Sequence, residues 1–240
     1  VADKLGAELA DFRDNPRMHE RDGFRMPMAA VLDEADIVIS IAKFKTHQLM
    51  YATGAVKNMF GLIPGLNKSP MHLKARTPES FARFLMAVFA ESHTDYAFID
   101  AVEGMEGPGP ANGIRKHIGL LMGSANAYAL DKAEAAIMGY SSVPLISEAE
   151  RIQPGITDCS YPLLHPEEVV IDSFIRIPEG KKSTLRSLFM PNVLGFFGIQ
   201  HDTRPYPHFD DSLCRRCLKC AEVCPAKALE LHRGRIHIDK

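Results

Sequence analysis

Four of the five cysteines in this 240-residue chain, Cys214, Cys217, Cys220 and Cys224, stand within one short run closed by Pro225. No other stretch constrains the fold as tightly. Written out, CRRCLKCAEVCP is a C-x2-C-x2-C-x3-C-P run, the spacing with which a chain wraps iron–sulfur clusters. Thiolates are the soft donors that a 4Fe-4S cluster needs. Three at this spacing can hold one cubane, and an extra residue and a proline displace the fourth. Short C-x2-C pairs also make zinc knuckles, so zinc is the alternative metal; disulfides or chance clustering make up the reading without one. Such crowding outside a small disulfide scaffold points to a reducing compartment, with the cytoplasm as the default location.

In two-cluster bacterial ferredoxins the fourth cysteine of each run ligates the other cluster. With a single run, Cys214, Cys217 and Cys220 lack an assured fourth thiolate, and Cys224 closes the same cubane only if the fold departs from that pattern. Cys159, the remaining cysteine, reads as a buried core residue. The tail IHID before Lys240 looks like the strand that leads into another cysteine run, and the chain opens on Val1. These features suggest a fragment that carries half of a ferredoxin-like module over residues 209–240, with a second cysteine run missing and the cluster lost or incomplete.

Apolar content of 46%, charged content of 24% and a net charge of -2 describe an ordinary globular chain,. The slight acidity argues against nucleic acid as a partner. No apolar stretch is long enough for a transmembrane helix. The length allows one sizeable core with a small appendix.

The first thirty residues are polar, with Leu5, Leu9 and Phe12 marking a short helical remnant. Ile37–Ile41 is an unbroken apolar run that reads as a buried strand. KFKTH follows, then GAVKNMFGLIPGLNK, whose residues 50–60 can form a helix ended by Gly61. Ligands of open α/β folds bind at the carboxyl ends of strands. Lys43, Lys45, His47, Lys57 and Lys68 therefore form a candidate pocket for an anionic small molecule, with a solvated helix face as the plainer alternative. No Walker A loop is present.

Residues 78–92 carry a broad apolar stripe behind Thr77 as N-cap and Pro78 at the first helical position. Tyr96–Ile99 reads as the next strand. The stretch DAVEGMEGPGPANG reads as a long glycine-rich loop on which Asp100, Glu103 and Glu106 could bind a metal or do acid–base work, or simply shape a connector. His117–Met122 is a third strand. Ser124 or Asn126 then opens an alanine-rich helix on which Asp131 is either structural or site-facing. A short helix over 143–152 and an edge strand over Glu168–Asp172 follow. Strands alternating with helices predict an α/β fold with a mainly parallel sheet flanked by helices over residues 1–180. Residues 181–208 form an apolar linker whose Leu188, Phe189, Phe196 and Phe197 pack on a domain or a partner, a membrane surface being the alternative.

KFKTH, KNMFGLIPG, DAVEGMEGPGPANG and SANAYALD before IMG together make the chain similar to the DUF362 family, whose members often carry C-terminal ferredoxin-type runs. The resemblance spans roughly residues 30–180. It marks Lys45, His47, Lys57, Asn58, Gly61, Gly107, Gly109, Pro110, Gly113 and Asp131 as characteristic positions, while Asn126 stands where an acidic residue is expected. Members usually have a longer N-terminal part and often two cysteine runs, which implies truncation at both ends. The resemblance implies the cluster and the fold, and no particular reaction.

The residues point to an iron–sulfur protein that transfers electrons between its cluster and a redox partner or an anionic substrate, as an oxidoreductase component. A binding or scaffold protein with a structural cluster is the first alternative. A metal-dependent non-redox enzyme built on the 100–112 stretch is the second. A homo-oligomer is compatible with all three.

Overall fold

The computed structural model describes residues 2–65, 77–110, 112–178, 214–222, 229–232 and 234–238. Cys224, Pro225, Lys68 and the apolar 181–208 segment lie outside them. Val1–Thr184 forms one compact unit and Leu185–Lys240 a second.

In the first unit, a one-turn helix α1 (Ala2–Leu5) precedes a hairpin of β1 (Arg17–Arg21) and β2 (Phe24–Met28). Asp22 and Gly23 link the strands, both with positive φ (50° and 79°), as a two-residue hairpin turn requires. The hairpin places Met26 and Met28 fully in the core, whereas Leu9, part of the anticipated helical remnant, is exposed and non-helical.

β3 (Ile39–His47) buries Ser40, Ala42, Phe44 and Thr46 and turns Ile39, Ile41 and Lys43 outward. The run anticipated as a fully buried strand is thus covered on one face alone, and Ile37 before it is exposed. β4 (Tyr51–Ala52) folds back on β3; α2 (Gly54–Asn58) and a 3-10 turn over Met59–Leu62 follow. α3 (Pro78–Glu91) starts as its sequence dictates: Thr77 Oγ1 accepts the Ser80 N–H at 3.1 Å, with Pro78 in the first turn. Its buried stripe of Phe81, Phe84, Leu85 and Val88 joins Phe24 and Phe60 in edge-on aromatic contacts.

β5 (Tyr96–Glu106) and β6 (Ile114–Ser124) are both long strands. α4 (Ala127–Ile137), α5 (Pro144–Ile152) and a 3-10 turn at Pro166–Val169 complete the described part of the unit. That last turn stands where an edge strand was anticipated.

The sheet order is β4-β3-β5-β6, and only the β3–β5 pair is parallel. The anticipated mainly parallel sheet is therefore wrong: this is a mixed, mostly antiparallel sheet flanked by helices. A parallel neighbour needs a crossover, which α2 and α3 supply between β3 and β5. The glycine-rich stretch supplies none. β5 runs through Glu106, which pairs with Ile114 at the start of β6, so the two strands form an antiparallel hairpin. Small residues permit this, since a Cβ on Gly104 would fall 2.6 Å from Ile118 Cδ1 and 2.9 Å from the Phe44 carbonyl oxygen. Register shifts occur between Lys43 and Lys45 on β3 and between Ala101 and Glu103 on β5.

In the second unit, α6 (Lys219–Glu222) follows Cys214 and Cys217 and itself carries Cys220, and β7 (Leu229–His232) pairs antiparallel with β8 (Arg235–Ile238) around Gly234 at φ 80°.

Candidate functional site

Two places bear chemistry: the carboxyl end of β3, and the cysteine loop of the second unit.

At the end of β3 the backbone is clamped from three sides. The Thr46 hydroxyl donates to the Gly107 carbonyl at 2.8 Å, and the Gln48 N–H to the Gly109 carbonyl at 3.2 Å. A Cβ on Gly109 would lie 2.4 Å from the Thr46 carbonyl oxygen, so the turn approaches β3 as closely as backbone allows. The Thr53 N–H donates to the Lys45 carbonyl at 3.0 Å, which brings the start of α2 alongside. His47 Nδ1 accepts N–H groups from Leu49 and Met50, both at 3.3 Å. In the neutral ring this leaves the proton on Nε2.

Beneath this strand end sit two fully buried carboxyls from α4. Asp131 takes the Ala55 N–H on Oδ1 at 2.5 Å and the Val56 N–H on Oδ2 at 3.1 Å. Gly54, at φ 60°, leaves the necessary room: a Cβ there would fall 2.3 Å from Asp131 Cγ. Burial pushes Asp131 up to about 7, against the pull of those two N–H groups. Glu134 Oε1 accepts the Lys45 N–H at 3.3 Å. Burial, and then the charge of Asp131, push Glu134 well above the ordinary carboxyl range. Its Oε2, like the buried Thr53 Oγ1, has no hydrogen-bond partner among the described residues. An acid so placed favours its protonated form. Glu134 was not singled out from sequence, although its spacing from Asp131 puts both on one face of α4.

The acidic trio is not gathered into a site. Asp100 accepts from Lys43 at 2.7 Å, and this contact, with the Val102 N–H, holds its carboxyl below the usual range. Glu103 binds Arg115 at 2.7 Å and His117 at 2.8 Å; Arg115 first, then His117, lowers it to about 2. Glu106 is buried, accepts the Ile175 N–H at 3.0 Å and lies 3.6 Å from Lys116. Among the described residues no three His, Cys, Asp or Glu side chains are arranged to hold a metal ion. Lys45 and His47 share the β3 end, and Lys57 is half-buried in the last turn of α2. Asn126, in place of the anticipated acidic residue, caps α4: its Oδ1 accepts the Tyr128 and Ala129 N–H groups, both at 3.1 Å.

An apolar cavity of about 230 Å³ lies elsewhere, between β6, α4 and the 159–169 segment. None of the anticipated site residues lines it. Cys159 is at its wall and is exposed, contrary to the core position anticipated for it.

In the second unit Cys214, Cys217 and Cys220 are free thiols, half-buried to exposed. Between them Arg216 (φ 55°) and Leu218 (φ 60°) adopt left-handed backbone. Alternation of backbone hand turns successive N–H groups toward one concavity, as in loops that bind anions and iron–sulfur clusters. The three soft donors and their spacing in sequence suit a 4Fe-4S cluster, but the three thiols are not themselves gathered around a common point, and the fourth cysteine of the run lies outside the described residues.

The family described as domain of unknown function (DUF362) matches residues 1–136. This chain belongs to the DUF362 family. A 4Fe-4S binding domain matches residues 206–229, across the cysteine loop. The DUF362 chain is 29% identical over 198 residues to the thylakoid-associated protein sll1697 of Synechocystis, an overlap covering 77% of the chain and 61% of that relative. No solved structure matches it. Among the described residues of this DUF362 protein, no helix is long and apolar enough to cross a membrane.

Proposed function

We propose that this protein is an iron–sulfur electron carrier, whose C-terminal module exchanges single electrons with a redox partner or with an anionic substrate held by the α/β unit. The reading rests on one observation: three free thiols at cluster spacing, on a loop of alternating backbone hand, inside a matched 4Fe-4S binding domain. When bound, the cluster supplies one-electron chemistry. Cys214, Cys217 and Cys220 would hold it, and Cys224 would serve a neighbouring cluster. The N–H groups around Arg216 and Leu218 would donate toward sulfur and raise the potential. Arg215, Arg216 and Lys219 are exposed on the same loop. Their charge suits a partner with an acidic docking face. In the α/β unit, Lys45, His47 and Lys57 are the proposed anion-binding groups. Asp100, Glu103 and Glu106 are committed to ion pairs and backbone contacts, and we assign them no catalytic role.

The test is anaerobic reconstitution of the full chain with iron and sulfide, followed by EPR before and after dithionite. A paramagnetic signal that appears on reduction and vanishes in Cys217→Ser supports electron transfer. A cluster unchanged by strong reductant would favour a structural role, and zinc as the sole stoichiometric metal would exclude the reading altogether.

A further inference from the structure

One face of the four-stranded sheet is exposed and apolar. Ile39 and Ile41 pair in register with Tyr96 and Phe98, and Phe98 in turn with Gly123. Leu121 lies beside Asp100, and Ile37 continues the outward set. Ile41 is 69% exposed, Leu121 77% and Phe98 44%. The Tyr96 and Phe98 rings lie 5.0 Å apart, and a Cβ on Gly123 would fall 2.9 Å from the Phe98 ring, so the three strands form one continuous surface. Scattered exposed apolar residues are normal; a contiguous set marks an interaction site. At about 150–200 Å² for each fully exposed large side chain, these six expose roughly 600 Å². That is at the top of the range for a monomer surface and close to the ~800 Å² per partner of a standard interface.

We propose that this face binds a second copy of the chain, sheet on sheet about a two-fold axis. A two-fold interface must be complementary to itself. Here the charges within the patch, Lys43 and Asp100, already pair at 2.7 Å, so two copies meet without an excess of either sign. Stacked sheets pack through such rows of outward side chains. Growth through the edge is guarded instead: β6 carries Arg115 and Lys116, and its ladder is broken at Gly119 (φ 81°), devices that discourage edge pairing. A lipid surface would call for cations surrounding the apolar patch, whereas Arg115 and His117 are both engaged by Glu103.

Sedimentation equilibrium of the full chain over a concentration series tests this, with Ile41→Asp and Phe98→Asp beside a control, Ile152→Asp, at an exposed apolar site on α5. The expected result is a dimer whose dissociation constant rises at least about a hundredfold in either face variant, because each change counts twice, and stays put in the control. Thermal unfolding of the monomeric variants checks that they remain folded. A chain monomeric at every concentration overturns the proposal, as does a dimer indifferent to Ile41→Asp. Cosedimentation of a monomer with phosphatidylglycerol vesicles, lost in Ile41→Asp, would overturn it in favour of a lipid surface.

Discussion

Replacing Glu134 by glutamine is expected to cost little, because burial favours the uncharged carboxyl in the folded chain,. Glu134 Oε1 accepts the Lys45 N–H at 3.3 Å, while Oε2 has no partner among the described residues. Glutamine keeps the acceptor and the volume and replaces a neutral O–H by a neutral NH2, so the change should cost no more than about 1 kcal/mol. Glu134→Ala leaves the Lys45 N–H unsatisfied, worth about 1–3 kcal/mol. It also opens a cavity of the kind that costs about 2–5 kcal/mol for large-to-small core changes; the loss should therefore exceed about 3 kcal/mol. The pH dependence follows from the raised pKa. A carboxyl that titrates higher in the folded than in the unfolded chain contributes stability below its unfolded value, and that contribution is lost as pH rises through the folded value. Wild type should therefore weaken relative to Glu134→Gln as pH rises from the ordinary carboxyl value of 4.5 through neutrality,. Urea unfolding of wild type and both variants from mildly acidic through neutral pH measures all of this. If glutamine proved as damaging as alanine at neutral pH, Glu134 would be ionised and the account of this strand end would be wrong.

Gly54→Ala should destabilise the first unit by about 3 kcal/mol or more, because it combines a left-handed φ of 60° with a Cβ driven into the Asp131 carboxyl,; denaturant midpoints report it. Asn126→Ala removes an N-cap that takes two N–H groups and also donates to the Ile156 carbonyl at 2.9 Å. It should cost about 1–2 kcal/mol by the same assay. In a carboxyl-resolved NMR titration Glu103 should stay ionised down to about pH 2. Arg115→Ala should move it up toward the ordinary range, and an unmoved Glu103 would deny the ion pair its role.

What was legible in the sequence were features set by local rules. Thr77 and Pro78 announced α3, and Asn126 announced α4, because caps act within a few residues. The cysteine spacing announced the cluster module for the same reason. Asp22-Gly23 was an available hairpin signal, but the flanking strand Arg17–Arg21 is polar and almost wholly exposed, so no alternation accompanied it. Strand direction was misjudged because glycine and proline in DAVEGMEGPGPANG are shared by loops and by tight hairpins, and only the long-range fit of Gly104 against Ile118 and Phe44 separates the two. Glu134 was hidden among alanines, since nothing local tells a buried acid from a solvated one. Ile39 and Ile41 misled in the opposite sense: a β-branched run looks the same whether or not a second layer covers it.

The slip in β5 has a consequence for chain length. In a regular strand Asp100, Glu103 and Glu106, each three residues from the next, would point alternately out, in and out. Here Val102 and Glu103 both face outward, so Glu103 reaches solvent and Glu106 is buried. Loss of one residue between Asp100 and Glu103 would restore strict alternation along β5 and leave every later side chain on its present face. Loss of one residue after Glu103 would send Glu106 into solvent and detach Ile175. Over these few positions the strand accommodates a change of length at one point and forbids it at the next, and related chains should record that difference in where their gaps fall.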